Sequence, residues 1–130
     1  MKRLAALSLA SGSLALTALT ATATTAVADS SQCTNYVAGS YATCAGHAWF
    51  QSNGEHLYIE DRVADGHSVA VHYTVNGVTK TAYNRNSANG AVVDLNLDLP
   101  EGAVITYSVC LSNSSTDLAG SCSGGIRDYA

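Results

Sequence analysis

SVAVHYTVNGVTKTAYN, residues 68–84, decides the fold. Val69, Val71, Tyr73 and Val75 alternate with Ser68, Ala70, His72 and Thr74, a period of two that fits a strand with one buried face and fits no helix. Asn76-Gly77 follows, and both residues tolerate the positive φ of a type I′ turn. The next strand, 78–84, therefore folds back, with Val75 opposite Val78, Tyr73 opposite Lys80 and Val71 opposite Ala82. The other face of this hairpin collects His72, Thr74, Thr79, Thr81 and Tyr83. Lys80, on the inward face, marks an edge strand guarded against association.

The same period runs outward in both directions. In 56–63, Leu57, Ile59 and Val63 share one face, and His56, Tyr58, Glu60 and Arg62 the other. If 56–63 and 68–75 form a hairpin around Ala64 to Ser68, Glu60 faces His72 and Tyr58 faces Thr74. Gly46 to Gln51 reads as an earlier strand in which Trp49 and Phe50 straddle the sheet. Val93, Leu95, Leu97 and Leu99 alternate with Val92, Asp94, Asn96 and Asp98; Pro100-Glu101-Gly102 makes a turn; Ile105, Tyr107, Val109 and Leu111 form the next inner face. A Ser/Asn/Gly-rich loop then leads to Cys122 and a short C-terminal strand. Six to seven short strands with no helical period predict an all-β domain, a small antiparallel β-sandwich.

The chain has 130 residues, enough for one small domain. Its first 28 read as a cleaved secretory signal: Lys2 and Arg3, then a run rich in Ala, Leu and Thr, then the small-residue site Ala26-Val27-Ala28. Residues 29–130 are the expected mature domain, and its expected location is extracellular. In it Arg62, Lys80, Arg85 and Arg127 stand against ten carboxylates, a formal charge of −6. Nucleic acid and anionic membrane surfaces both require a basic patch and are not expected partners.

Cys33, Cys44, Cys110 and Cys122 all lie in the exported part, and an even count in a small secreted domain implies two disulfides. Three pairings exist. The sequential one, Cys33 with Cys44 and Cys110 with Cys122, is expected, each bridge closing a loop of about a dozen residues worth roughly 3 kcal/mol. Zinc held by these four would want close C-x₂₋₄-C spacing, which the chain lacks.

Other chemistry is sparse. Asp94-Leu95-Asn96-Leu97-Asp98 imitates the start of a calcium loop, but Leu99 and Ile105 stand where such a loop needs Gly and Glu. Gly120-Ser121-Cys122-Ser123-Gly124 imitates a nucleophile elbow, but a bridged cysteine has no thiolate. His47, His56, His67 and His72 beside Glu55, Glu60, Asp61 and Asp65 read as cross-strand surface pairs. No catalytic, metal or cofactor site is expected. Aromatic side chains in excess of what the core needs point to binding, with Trp49, Tyr58 and Tyr83 as the candidate ligand residues.

Leu99-Pro100-Glu101-Gly102 followed by Tyr107 resembles the tyrosine corner of immunoglobulin-like and fibronectin type III sandwiches. Cys110 falls three residues after that tyrosine and on the opposite face, which departs from the immunoglobulin inter-sheet bridge and supports a local Cys110–Cys122 bond. The leader, Gly46-His47-Ala48-Trp49-Phe50-Gln51, the Ala64-Asp65-Gly66-His67-Ser68 turn and the ending from Val109-Cys110-Leu111 to Cys122 resemble small secreted proteins of actinobacteria, which implies export and a disulfide-bonded β domain. A weaker similarity is to small proteinaceous α-amylase inhibitors, whose Trp-Arg-Tyr triplet is absent. The expectation is a secreted non-enzymatic binding domain for cell-wall or environmental polysaccharide or for a protein. The alternative is an inhibitor of an extracellular hydrolase, acting through the loops Gln51 to Gly54 or Asn84 to Gly90.

Overall fold

The structure, a computed structural model, describes residues 29–130; the expected leader and processing site, residues 1–28, lie outside the described residues. Nine strands follow one another: β1 (Ser30–Cys33), β2 (Gly46–Gln51), β3 (His56–Asp61), β4 (Ser68–Val75), β5 (Val78–Asn84), β6 (Val93–Asn96), β7 (Val104–Asn113), β8 (Thr116–Asp117) and β9 (Ile126–Tyr129). They form two antiparallel sheets, one ordered β1-β2-β3-β6 and the other β5-β4-β7-β8, with β9 also pairing β7. The β4–β5 hairpin has the register its turn dictates, Val75 to Val78, Tyr73 to Lys80 and Val71 to Ala82. Asn76 and Gly77 carry φ of 51° and 75°, as the type I′ turn requires.

The inward residues of each strand meet between the sheets. Ala48 and Phe50 of β2 and Leu57 and Ile59 of β3 face Val69 and Val71 of β4 and Ile105, Tyr107, Val109 and Leu111 of β7, and all are buried. Gly46 begins β2 where it crosses close to β4: a Cβ there would lie 2.8 Å from both methyl groups of Val69. Both bridges are sequential, Cys33–Cys44 and Cys110–Cys122.

Four expectations are corrected. β3 and β4 are not a hairpin: β3 pairs with β2 and β6, β4 with β5 and β7, and residues 62–67 carry the chain from one sheet to the other. Glu60 consequently lies opposite His47 and Tyr58 opposite Trp49, while His72 lies opposite Thr81 and Ser108. Burial explains the crossing, because Leu57 and Ile59 cover Val69 and Val71 only from the facing sheet. The strand count is nine rather than six to seven, because β1 and β8 carry no apolar alternation. β1 is held instead by pairing with β2 and by its Ser30 N–H, which donates to the buried Asp128 at 2.8 Å.

Third, β3 is shorter than its period suggests and stops at Asp61, before Val63. β6 likewise ends at Asn96, and Leu97 and Leu99 pack on the core without a ladder. Fourth, Tyr107 does not form a tyrosine corner. Its hydroxyl meets Ser30 Oγ of β1 at 2.9 Å rather than the preceding turn, and burial raises its pKa above the ordinary tyrosine range.

Candidate functional site

Parity fixes what the four-stranded sheet shows to solvent. With Ala48, Phe50, Leu57 and Ile59 inside, His47 and Trp49 of β2 and His56, Tyr58 and Glu60 of β3 must point out, and the register sets Trp49 beside Tyr58. The four rings form one column. His47 stacks on Trp49 with centroids 5.1 Å apart, Trp49 on Tyr58 at 5.0 Å and 17° between planes, and Tyr58 on His56 at 5.7 Å and 15°. Near-parallel rings this close cannot lie side by side in one plane, so they overlap face on face in the offset-stacked arrangement. Trp49 is thereby stacked against two neighbouring rings, His47 and Tyr58.

Charged groups hold both ends. At one, Arg62 donates from Nε to Glu60 at 2.7 Å and from its terminal nitrogen to His47 Nδ1 at 2.9 Å. An Nδ1 that accepts places the imidazole proton on Nε2. Burial, then the Arg62 charge, lowers the His47 pKa below its ordinary 6.5, while the Arg62 hydrogen bond lowers that of Glu60 below its ordinary 4.5. At the other end His56 Nδ1 meets Asp94 Oδ1 at 2.5 Å.

The linkage has one sign for both groups at the Arg62 end. A histidine that resists protonation when folded contributes stability that is complete above pH 6.5 and is lost as pH falls from there through its lowered folded value. The depressed Glu60 contributes in the same direction, complete above about pH 4.5 and lost further into acid. Arg62→Gln is expected to raise both pKa values, read as chemical shifts in an NMR titration. A His47 titration that does not move in this variant would show that Arg62 does not set it.

Two of the three candidate ligand residues, Trp49 and Tyr58, meet in this column. Tyr83 lies on β5 of the other sheet, under the Arg85 guanidinium at 4.4 Å from its ring centre. His67 pairs with Asn113 at 2.8 Å. His72 lies between Thr81 Oγ1 at 2.8 Å and Asp117 Oδ2 at 2.6 Å. Asp94 turns to His56, and Asn96 Oδ1 accepts the Asp98 N–H, so the Asp94 and Asn96 side chains of the calcium-like run are engaged elsewhere. Ser121 beside the bridged Cys122 accepts the Leu111 N–H.

No family model, curated protein or solved structure matches this chain.

The sequence places His56, Tyr58, Glu60 and Arg62 on one strand face but does not join them to His47, Trp49 and Asp94, although a signal exists. His47-Ala48-Trp49 and His56-Leu57-Tyr58 repeat one pattern on either side of Asn53-Gly54, a second Asn-Gly turn. Folding about that dipeptide sets Gln51 against His56 and Trp49 against Tyr58, the register found.

Proposed function

We propose that the protein is a secreted, non-enzymatic binding domain that engages a protein partner through the outer face of the β1-β2-β3-β6 sheet. The observation that carries this reading is the stacking of Trp49 between neighbouring rings of the same sheet face. Sugar rings stack on open aromatic faces, whereas here the half-buried indole is already stacked against His47 and Tyr58. A stacked aromatic centre bordered by Arg62, Glu60 and Asp94 has the anatomy of a protein interface, with anchors at the middle and charge at the rim. This favours a protein over the polysaccharide. Secretion rests on the leader's composition, and the two disulfides suit an oxidising compartment.

An extracellular hydrolase falls within the same class of partner. The Gln51 to Gly54 loop joins β2 to β3 at the His56 end of the column, so an inhibitory contact there would use the same face.

The test is retention of partners from culture supernatant on immobilised residues 29–130, compared with Trp49→Ala, alongside depletion on starch, cellulose, chitin and peptidoglycan. The expected result is one saturable protein partner whose affinity falls roughly 30-fold or more in Trp49→Ala, the scale of an interface anchor, with both disulfides and the sheet signal intact. A partner bound equally by Trp49→Ala would reject this face. Retention on one polymer, lost in Trp49→Ala, would move the face to carbohydrate recognition.

A further inference from the structure

On the far side of the molecule, the outer face of the five-stranded sheet brings together groups that the proposed binding face does not use. β4 presents His72, β7 presents Cys110 and β8 presents Asp117, and one donor atom from each lies within 4.8 Å of the other two. Cys122 Sγ is bonded to Cys110 Sγ and would be freed beside this group of three when the bridge opens. Asp117 holds His72 Nε2 with Oδ2, but its Oδ1 is shut off from solvent and accepts no hydrogen bond, the one such buried side-chain atom among the described residues. A shielded carboxylate oxygen with no partner is destabilising, and a cation would remove that cost.

We infer that reduction of the Cys110–Cys122 bridge converts this cluster into a zinc site with ligands His72, Cys110, Asp117 and Cys122. In the bridged state neither sulfur is a thiolate, and the metal lacks half of its ligands. A dithiol reductant gives the bridge two electrons and two protons, becoming a cyclic disulfide itself. Zinc then displaces both thiol protons to solvent, the Nε2 proton that His72 gives Asp117 is replaced by one on Nδ1 through solvent exchange, and the metal binds two thiolates, the freed Nε2 lone pair and the Asp117 carboxylate. Two sulfurs, one nitrogen and one oxygen suit the tetrahedral preference of zinc. His72 is oriented for this already: with Nε2 as the ligand, Nδ1–H donates to Thr81 Oγ1 at 2.8 Å, the outer hydrogen bond that metal-bound histidines regularly make. This site is distinct from a zinc centre built of four cysteines, and Cys33 and Cys44 take no part.

The experiment is titration of residues 29–130 with Co²⁺, as a spectroscopic stand-in for zinc, and with Zn²⁺ against a chromophoric chelator. Each is done with the bridges intact and after reduction by a phosphine that does not bind metal. The expected result is no uptake when oxidised and one equivalent when reduced, with thiolate-to-cobalt charge-transfer absorption and recovery of any sheet signal lost on reduction. His72→Ala and Asp117→Asn are expected to weaken uptake at least ~10-fold, the scale seen even for outer partners of a metal, while Cys33→Ser/Cys44→Ser leaves the spectrum unchanged. Uptake indifferent to His72 and Asp117 would assign the metal to thiols of an unfolded chain and overturn the site. A reduced chain that takes up no metal would overturn it equally, whether folded or not.

Discussion

Phe50→Ala is expected to destabilise the domain by about 3–5 kcal/mol. Phe50 is fully buried among Leu57, Ile59 and the β4 and β7 side chains, so removing its ring both forfeits transfer energy and leaves a cavity between two sheets that cannot close over it. Domains of this size hold about 5–15 kcal/mol in total, so the variant stands near the threshold of unfolding. Urea denaturation of residues 29–130 measures it. A loss below about 1 kcal/mol would mean the ring is not in the core. The adjacent Trp49→Ala is the matched control. Its side chain lies on the outer face and stacks across strands, a contact worth up to about 1 kcal/mol. One step along β2 separates a residue that holds the sheets together from one free to contact something else.

Removing the two disulfides has the next largest effect. Cys33→Ser/Cys44→Ser and Cys110→Ser/Cys122→Ser are each expected to cost roughly 3 kcal/mol. The sequence separations are 11 and 12, so loop closure predicts nearly equal costs for the two bridges. Removing both takes roughly 6 kcal/mol, comparable with the whole stability of a small domain. The expected outcome is a sharp thermal transition for each single-bridge variant and loss of the cooperative transition at room temperature when both bridges are absent. Costs that differ between bridges by more than about 1 kcal/mol would show that native strain or residual structure outweighs loop closure.

Face assignment was legible in the chain wherever apolar residues alternate. The β4–β5 register was legible to the residue, because Asn76-Gly77 leaves one way to fold back. The sequential disulfides follow from loop length and count. The step from β3 to β4 was not legible, since periodicity says which residues point inward but not which sheet they belong to. Ala64-Asp65-Gly66-His67-Ser68 reads as a hairpin turn and is in fact a crossing; the Asp65 side chain caps the His67 N–H at 2.9 Å and Gly66 turns with φ of 80°. β1 is polar because its stability comes from backbone pairing and from Asp128, neither of which leaves a pattern in Ser-Ser-Gln-Cys. The aromatic column needed two things at once, the outward parity of each strand and the register between them, and only the first was used.

The short disulfide loops also fix how the molecule responds to tension. Pulled by its ends, a chain at full extension spans about 3.3–3.6 Å per residue, but the segments inside Cys33–Cys44 and Cys110–Cys122 cannot lengthen while the bridges hold. Each bridge therefore withholds roughly 35 Å of contour and returns it only on reduction. Force applied to β1 reaches Cys33 after three residues and passes through sulfur directly to the start of β2. Force applied at the C-terminus peels β9 and then acts through Cys122 on the middle of β7, so the load falls on the central β4–β7 ladder before the loop that follows β7 is drawn out.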